Sequence, residues 1–274
     1  ATFRQMANVP SAYAIYTIEP VKYWQENING TGNHQGNKII GNRGNNILSG
    51  MSGNDFSEGG DGDDTLYGGE GNDFLGGGEG NDEVHGGGGD DQLFGHDGND
   101  ILASGDGNDT IDGGNGNDVI DGQTGVDIAR GGTGDDKYHV ENSNDQVIEY
   151  ANEGHDTVHS TVSFKLSQHV EDLRLWEDQA ISGTGNELNN YISGNSVANL
   201  LTGLGGNDTL DGGEGDDILD GGNGSDKLTG GKGNDTYRFG RGGASDLIFE
   251  DDATLGNRDI LELCADITAE QLWF

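Results

Sequence analysis

Residues 59–85 consist of GGDGDDTLY, GGEGNDFLG and GGEGNDEVH, three nine-residue units in direct succession. Each unit has glycine at its first, second and fourth places, aspartate at its sixth and an apolar residue at its eighth. The same frame extends from Gly41 to His139 without an insertion, which makes eleven units. A low-complexity coil of glycine and aspartate would not keep this phase, so the period predicts a repeated structure.

The sixth and eighth places carry the most regular side chains of this first array. The eighth place is apolar in ten of the eleven units, with Ser57 as the exception and Ala129 as a weak member. The sixth place is aspartate in all units but the first, which has Asn46. The sixth-place aspartates are Asp55, Asp64, Asp73, Asp82, Asp91, Asp100, Asp109, Asp118, Asp127 and Asp136.

A second array begins at Gly185 and follows the same nine-residue frame. Its first two units, GNELNNYIS and GNSVANLLT, are degenerate and have Asn190 and Asn199 at the sixth place. Four well-formed units follow, with sixth-place aspartates Asp208, Asp217, Asp226 and Asp235. Between the arrays, alternating stretches such as residues 157–164 predict strands that connect one array to the next.

These patterns divide the chain into five predicted segments, and we expect it to be part of a longer protein. The segments are an N-terminal flank (1–40), a first nonapeptide β-roll (41–139), a β-rich connector (140–184), a second nonapeptide β-roll (185–239) and the start of a C-terminal capping region (240–274).

The spacing of the repeat predicts an all-β fold with a thin core. Nine residues with one inward apolar position suit a strand of about three residues and a turn of six. Two units then form one coil of 18 residues, in which the eighth-place side chains of opposite strands face each other. Glycines allow the turns backbone angles that are closed to other residues.

Stacked coils would bring the sixth-place aspartates of units two apart into rows. At the strand spacing of ~4.8 Å, two such charges repel by roughly 3.5 kcal/mol at an effective dielectric of ~20. A divalent cation between them reverses this interaction. The available ligands are carboxylate and carbonyl oxygens, which favour calcium over magnesium, and ligand places without Cys or His argue against zinc.

The composition limits the classes of partner. Acidic residues outnumber basic ones 50 to 13, and the net charge of −37 excludes nucleic acid and anionic membranes as expected partners. No stretch is apolar enough for a membrane span. Cys264, the only cysteine, is predicted to be a free surface thiol.

The units GGEGNDFLG, GGGGDDQLF and GGNGNDVID resemble the repeats-in-toxin (RTX) nonapeptide of haemolysin-type calcium-binding proteins. The resemblance implies a right-handed parallel β-roll in which several calcium ions lie between turns of units i and i+2. It assigns the sixth-place aspartates of both arrays as calcium ligands, together with backbone carbonyls. The asparagines at the sixth place and the unit GQTGVDIAR (122–130) depart from the pattern and predict weaker turns there.

The resemblance also implies a function. RTX proteins leave bacteria through the type I secretion machinery and fold when they meet extracellular calcium. We therefore expect a secreted or cell-surface, monomeric, non-catalytic module of a toxin or large adhesin. The alternative is the secretion and folding module of a secreted enzyme, such as a protease, lipase or epimerase, whose catalytic domain lies elsewhere.

Two other interpretations are disfavoured by the residues. Catalytic motifs such as HExxH and GxSxG do not occur in the sequence, and His155 and His159 are predicted to be surface residues rather than metal ligands. An ice-binding roll would need a regular array of threonine or similar side chains. The seventh place instead varies from Phe56 to Thr65 to Glu83.

Overall fold

A computed structural model of the chain describes residues 14–16, 27–176, 181–240, 245–250, 252 and 256–263, with only the backbone of 14–16. All regular elements in these ranges are β-strands, and the strands pair in parallel. The all-β parallel roll predicted from the sequence is confirmed. No helix in the described part of the chain has the length and apolar character to span a membrane. The predicted free thiol of Cys264 lies outside the described residues.

The chain forms two compact units, and the first extends from Ala1 to Gly154. Its strands are β1 (Ala14–Tyr16), β2 (Asn29–Thr31), β3 (Asn37–Ile40), β4 (Ile47–Ser52), β5 (Phe56–Asp61), β6 (Thr65–Glu70), β7 (Phe74–Glu79), β8 (Glu83–Gly88), β9 (Gln92–Asp97), β10 (Ile101–Asp106), β11 (Thr110–Asn115), β12 (Val119–Asp121), β13 (Ile128–Thr133), β14 (Lys137–Val140) and β15 (Gln146–Ile148). Odd-numbered strands form one sheet of this unit and even-numbered strands the other.

The second unit extends from His155 to Phe274 and has the same alternation. Its strands are β16 (Thr157–Ser160), β17 (Phe164–Lys165), β18 (Asp172–Leu175), β19 (Ser182–Thr184), β20 (Tyr191–Ser193), β21 (Leu200–Gly205), β22 (Thr209–Glu214), β23 (Ile218–Asn223), β24 (Lys227–Lys232), β25 (Thr236–Phe239), β26 (Leu247–Phe249) and β27 (Ile260–Leu263). Consecutive strands therefore lie in opposite sheets, so one coil contains two repeat units.

The pairing register within the arrays is set by the 18-residue coil. Phe56 pairs with Phe74 on the next coil, and Ile47 pairs with Thr65, both 18 residues further along the chain. Because the offset is two units, every place of the repeat stacks on the same place of the coil above. A one-residue slip would move the eighth-place side chain to the outer face, which fixes the register.

The core is a ladder of eighth-place side chains. Leu66, Leu75, Val84, Leu93 and Leu102 are fully buried, and each contributes on the order of 1.5–3 kcal/mol of hydrophobic stabilisation. The weak eighth-place residues keep the same position, since Ser57 is fully buried and Ala129 is 9% exposed. The core is one side chain deep on each sheet, so it offers little stability for the length of chain that it orders.

The strands are longer than the sequence predicted. Most strands of the arrays contain six residues, because they continue through the first three places of the following unit. Pairing resumes at Gly60 with Gly78, whose φ values of 117° and 123° turn the chain while the two residues remain paired. The prediction of a three-residue strand and a six-residue turn is therefore wrong, and the turn comprises places four to six.

Candidate metal-binding rows

The fourteen sixth-place aspartates lie where each turn enters its strand, and all are buried. Their exposed fractions are between 0 and 3%. They are Asp55, Asp64, Asp73, Asp82, Asp91, Asp100, Asp109, Asp118, Asp127 and Asp136 in the first unit, and Asp208, Asp217, Asp226 and Asp235 in the second. Carboxylates are rarely buried without a compensating partner, so this set requires an explanation in chemical terms.

One carboxylate oxygen of each of these aspartates, Oδ1, accepts the backbone amide of the residue at the same place on the preceding coil, 18 positions earlier. The amide of Asp73 donates to Oδ1 of Asp91 at 2.8 Å, and the amide of Asp91 donates to Oδ1 of Asp109 at 2.8 Å. At the other edge of the first compact unit, the amide of Asp82 donates in the same way to Oδ1 of Asp100 at 2.7 Å. The structure thus places the aspartates in rows with a spacing of two units.

The second carboxylate oxygen has no such partner. Oδ2 of Asp73, Asp91 and Asp217 is buried and accepts no hydrogen bond, and the same is true of Asp55, Asp64, Asp82, Asp100, Asp109, Asp118, Asp127, Asp208, Asp226 and Asp235. A buried acceptor left unsatisfied costs about 1–3 kcal/mol, and more when it is charged. A ligand that binds this oxygen would remove that cost at every turn.

The unpartnered oxygens face other oxygens. A Cβ built on Gly95, at the first place of its unit, would collide with Oδ2 of Asp100 and lie 2.5 Å from the carbonyl oxygen of Gly113. Gly68 is surrounded in the same way by Asp73 and by the carbonyl oxygen of Gly86, at 2.6 Å. Carboxylate and carbonyl oxygens therefore converge beside these first-place glycines, and oxygen-only ligands fit a hard cation such as calcium.

The electrostatics of the rows agree with this geometry. Burial raises the pKa of Asp82, Asp91 and Asp118 to about 7. The hydrogen bond from the backbone amide of the preceding coil lowers the pKa, but its effect is smaller than that of burial. Burial likewise raises the pKa of Asp55 and Asp73 to about 6. The charged form of these carboxyls is thus disfavoured inside the roll unless positive charge is bound nearby.

Asparagine replaces aspartate at the start of each array, and its side-chain NH2 group donates hydrogen bonds to backbone carbonyl oxygens. Nδ2 of Asn46 donates to the carbonyl oxygen of Gly44 at 2.6 Å. Nδ2 of Asn190 donates to the carbonyl oxygen of Glu171 at 3.0 Å, and Nδ2 of Asn199 to that of Ile181 at 3.1 Å. A neutral donor thus occupies the place of the unpartnered oxygen, so these turns need no cation for that atom.

Among the residues that the structure describes, three aspartates that sequence reasoning missed continue the rows outside the two arrays. Asp145 accepts the amide of Asp127 at 3.1 Å, Asp246 accepts that of Asp226 at 3.0 Å, and Asp259 accepts that of Asp235 at 3.0 Å. Their segments lack the glycines of the repeat. The remaining signal is an apolar residue two positions after each aspartate: Val147, Ile248 and Leu261.

Two weaker sequence predictions also have structural counterparts. In the departing unit at 122–130, Asp127 keeps its buried place, while Gln123 adopts a φ of 58° at a place where most units have glycine. His155 is exposed and contacts Oδ1 of Asp172 at 3.1 Å through Nε2.

Comparison with protein families gives one match. A family model described as an RTX calcium-binding nonapeptide repeat (4 copies) matches residues 31–66, 40–75, 50–84, 76–111, 103–138, 112–147, 184–219 and 211–243. These matches together cover nearly two thirds of the chain. No curated protein matches the chain.

Proposed function

Because the chain belongs to the RTX calcium-binding nonapeptide repeat family, we propose that it is a calcium-dependent folding module of a bacterial protein exported by type I secretion. In this proposal the chain is unfolded where calcium is scarce and folds outside the cell. The parent protein is a toxin or a large adhesin, and the roll itself is not catalytic. RTX repeats are typical of secreted bacterial proteins, which supports the location.

The observation that carries the proposal is the repeated buried carboxylate oxygen. In the charged form, Oδ2 of Asp73 or Asp91 is buried away from bulk solvent and has no hydrogen-bond donor from the protein to stabilise it. Bound calcium supplies the positive charge that these oxygens lack. The proposed ligands are the sixth-place aspartates named above and the neighbouring glycine carbonyls.

The role of the residues is to make folding conditional. The core is thin, and the net charge of −37 opposes compaction. The buried rows add an unfavourable term at each coil, because their carboxyls must stay neutral or bind a cation. Free energy of calcium binding is therefore free energy of folding, since the rows exist only when coils are stacked.

The proposed segments follow from the same argument. The two arrays, 41–139 and 185–239, depend on calcium, while 1–40, 140–184 and 240–274 flank, connect and cap them. Sequencing the complete parent gene tests the wider assignment. A protease, lipase or epimerase domain there would replace the toxin or adhesin by a secreted enzyme.

A calcium titration followed by far-ultraviolet circular dichroism tests the proposal. We expect a coil spectrum in chelator and a β spectrum once calcium reaches roughly 0.1–1 mM, the range of extracellular calcium modules. Magnesium at the same concentration is the control and should leave the coil. A full β spectrum in chelator would contradict the proposal.

A further inference from the structure

Three carboxylates meet at the end of the second array, and two of them lie outside the repeats. Asp235 precedes β25, Glu250 follows β26, and Asp259 precedes β27. One oxygen of each residue lies within 4.8 Å of an oxygen of the other two. Asp235 is fully buried, while Glu250 and Asp259 are exposed at the rim.

Asp235 directs an unpartnered oxygen into this group. Its Oδ1 accepts the amide of Asp217 at 2.9 Å, whereas its buried Oδ2 accepts no hydrogen bond. Oδ2 lies beside Gly230 together with the hydroxyl of Tyr237, which donates to Oε2 of Glu250 at 2.9 Å. The unsatisfied oxygen therefore faces the side where Glu250 approaches.

The position of the Tyr237 hydroxyl shows what changes at the last unit. On the preceding coil, two units earlier, the carbonyl oxygen of Gly230 lies 2.5 Å from a Cβ built on Gly212, beside Oδ2 of Asp217. Around Gly230 itself, the Tyr237 hydroxyl lies at 2.5 Å from the equivalent point. Eighteen residues after Gly230 the chain has Ile248, within β26. Glu250 therefore approaches where the array no longer supplies a glycine carbonyl.

The first array ends with the same pair of side chains. Tyr138 stands two residues after Asp136, as Tyr237 stands two after Asp235. The Tyr138 hydroxyl donates to Oε1 of Glu149, which also accepts the amide of Gly131 at 3.1 Å. A hydrogen bond between a tyrosine and a following glutamate thus occurs at the ends of both arrays. The repetition indicates a common structural feature of the last turn.

We propose that Asp235, Glu250 and Asp259 hold one calcium ion at the end of the second array, in a site that the nonapeptide does not supply. Three carboxylates at these distances repel each other, and a cation among them reverses the sign. The oxygen-only ligand set and the exposed rim fit calcium with water as additional ligands. The inference rests on the proposed function for the identity of the metal, but two of its three ligands, Glu250 and Asp259, lie outside the repeats.

Counting bound calcium in the whole chain tests the site. Glu250→Gln keeps the shape of the side chain and an oxygen for Tyr237 but removes the charge. We expect this variant to hold one calcium ion fewer than the unsubstituted chain in equilibrium dialysis. Glu262→Gln is the matched control, because Glu262 is an exposed neighbour that pairs with Arg238 at 2.8 Å, and the ion count should not change.

Tyr237→Phe distinguishes a metal site made by the three carboxylates from an arrangement that depends on the tyrosine hydrogen bond. The substitution removes the hydroxyl and leaves all three carboxylates, so the ion count should stay as in the unsubstituted chain. With terbium in place of calcium, this variant should lose the part of the tyrosine-sensitised emission that Glu250→Gln also loses. Loss of the ion in Tyr237→Phe would show that the hydroxyl, and not the carboxylate group, creates the site, and would overturn the proposal.

The outcomes distinguish this inference from the proposed function. If the unsubstituted chain binds no calcium, the proposed function is refuted. If the unsubstituted chain binds calcium and the Glu250→Gln variant holds as many ions, only the terminal site is refuted. Circular dichroism in saturating calcium checks folding, and if Glu250→Gln does not fold, Asp259→Asn decides by the same count.

Discussion

Each row aspartate uses its two carboxylate oxygens differently. Oδ1 of Asp91 accepts an amide from the preceding coil, which any residue with a similarly placed oxygen could do. Oδ2 is buried without a donor, and an amide nitrogen in its place would need an acceptor instead. The starting turns show this exchange, because the Nδ2 atoms of Asn46 and Asn199 donate to carbonyl oxygens there.

The first prediction follows from this division. Asp91→Asn should keep the hydrogen bond to Asp73 but lose the charged oxygen of that turn. We expect calcium binding at this turn to weaken by at least about tenfold, as when a partner of a metal ligand is removed. Isothermal titration calorimetry measures it. Asp90→Asn is the control, since Asp90 is exposed in the same unit, and an equal loss there would contradict the assignment.

The second prediction concerns pH in the absence of calcium. Burial raises the pKa of Asp64 and Asp208 from 3.8 to about 7. Between about pH 4 and 7 the folded state then binds more protons than the unfolded state, so the free energy of unfolding falls as pH rises. In chelator, β-structure should increase on acidification from pH 7.5 to 5.0 in circular dichroism, and calcium affinity should decrease over the same window.

The reverse result would contradict the role of the rows. If the chelated chain became more folded as pH rose, the buried aspartates could not be the groups whose ionisation opposes folding. Measurements should stay above the isoelectric point of about 4.1, because loss of net charge there promotes association.

At the scale of the strand, the fold depends on one buried side chain per unit. Leu102 in β10 pairs in register with Val84 in β8 and Ile120 in β12, and all three are buried. Neighbouring glycines have no side chain that could fill a gap. Close approach of the coils also leaves no room for one, since a Cβ on Gly87 would collide with the carbonyl oxygen of Gly69.

The third prediction tests this thin core. Leu102→Ala should lower the free energy of unfolding of the calcium-loaded chain by about 3–5 kcal/mol, because the cavity cannot collapse. Urea unfolding measures the change. Ile101→Ala is the matched control: Ile101 is adjacent in the same strand but 50% exposed, so we expect about 1 kcal/mol or less. Equal effects of the two substitutions would contradict the assignment of the core face.

At the scale of the whole molecule, charge and thin packing act together. The chain carries 50 acidic and 13 basic residues and only 30% hydrophobic residues. Such a composition is close to that of disordered chains, which repel themselves and bury too little apolar surface to compact. The periodic placement of the few apolar side chains makes folding possible, and under the proposed function cation binding makes it favourable.

The fourth prediction is a change in dimensions. In chelator the radius of gyration should approach about 58 Å, the value for an unfolded chain of this length, and should decrease sharply with calcium. Small-angle X-ray scattering measures it. Sodium chloride at matched ionic strength screens repulsion but cannot bridge two carboxylates, so it should leave the chain expanded. Compaction by sodium chloride alone would point to simple screening.

Much of the fold was predictable from the sequence because the repeat is in phase with the coil. The nine-residue period fixed the alternation of sheets, the buried eighth place and the rows of aspartates such as Asp73 and Asp91. Asp145 was also predictable, since residues 140–148 continue the frame with Asp145 at the sixth place and Val147 at the eighth. The strand length was not, because pairing beyond the glycines depends on contacts between coils.

The chain's own pattern therefore determined the parallel roll, its core and the acidic rows, since each of these repeats with the chain at 18-residue intervals. Only the tertiary structure decided how the rows end. Asp246 follows Asp226 by 20 residues, and Asp259 follows Asp235 by 24, so neither is in phase. Glu250 joins Asp235 and Asp259 through space, because the segment after the last repeat stacks on the final coils by strand pairing, which tolerates any loop length between strands.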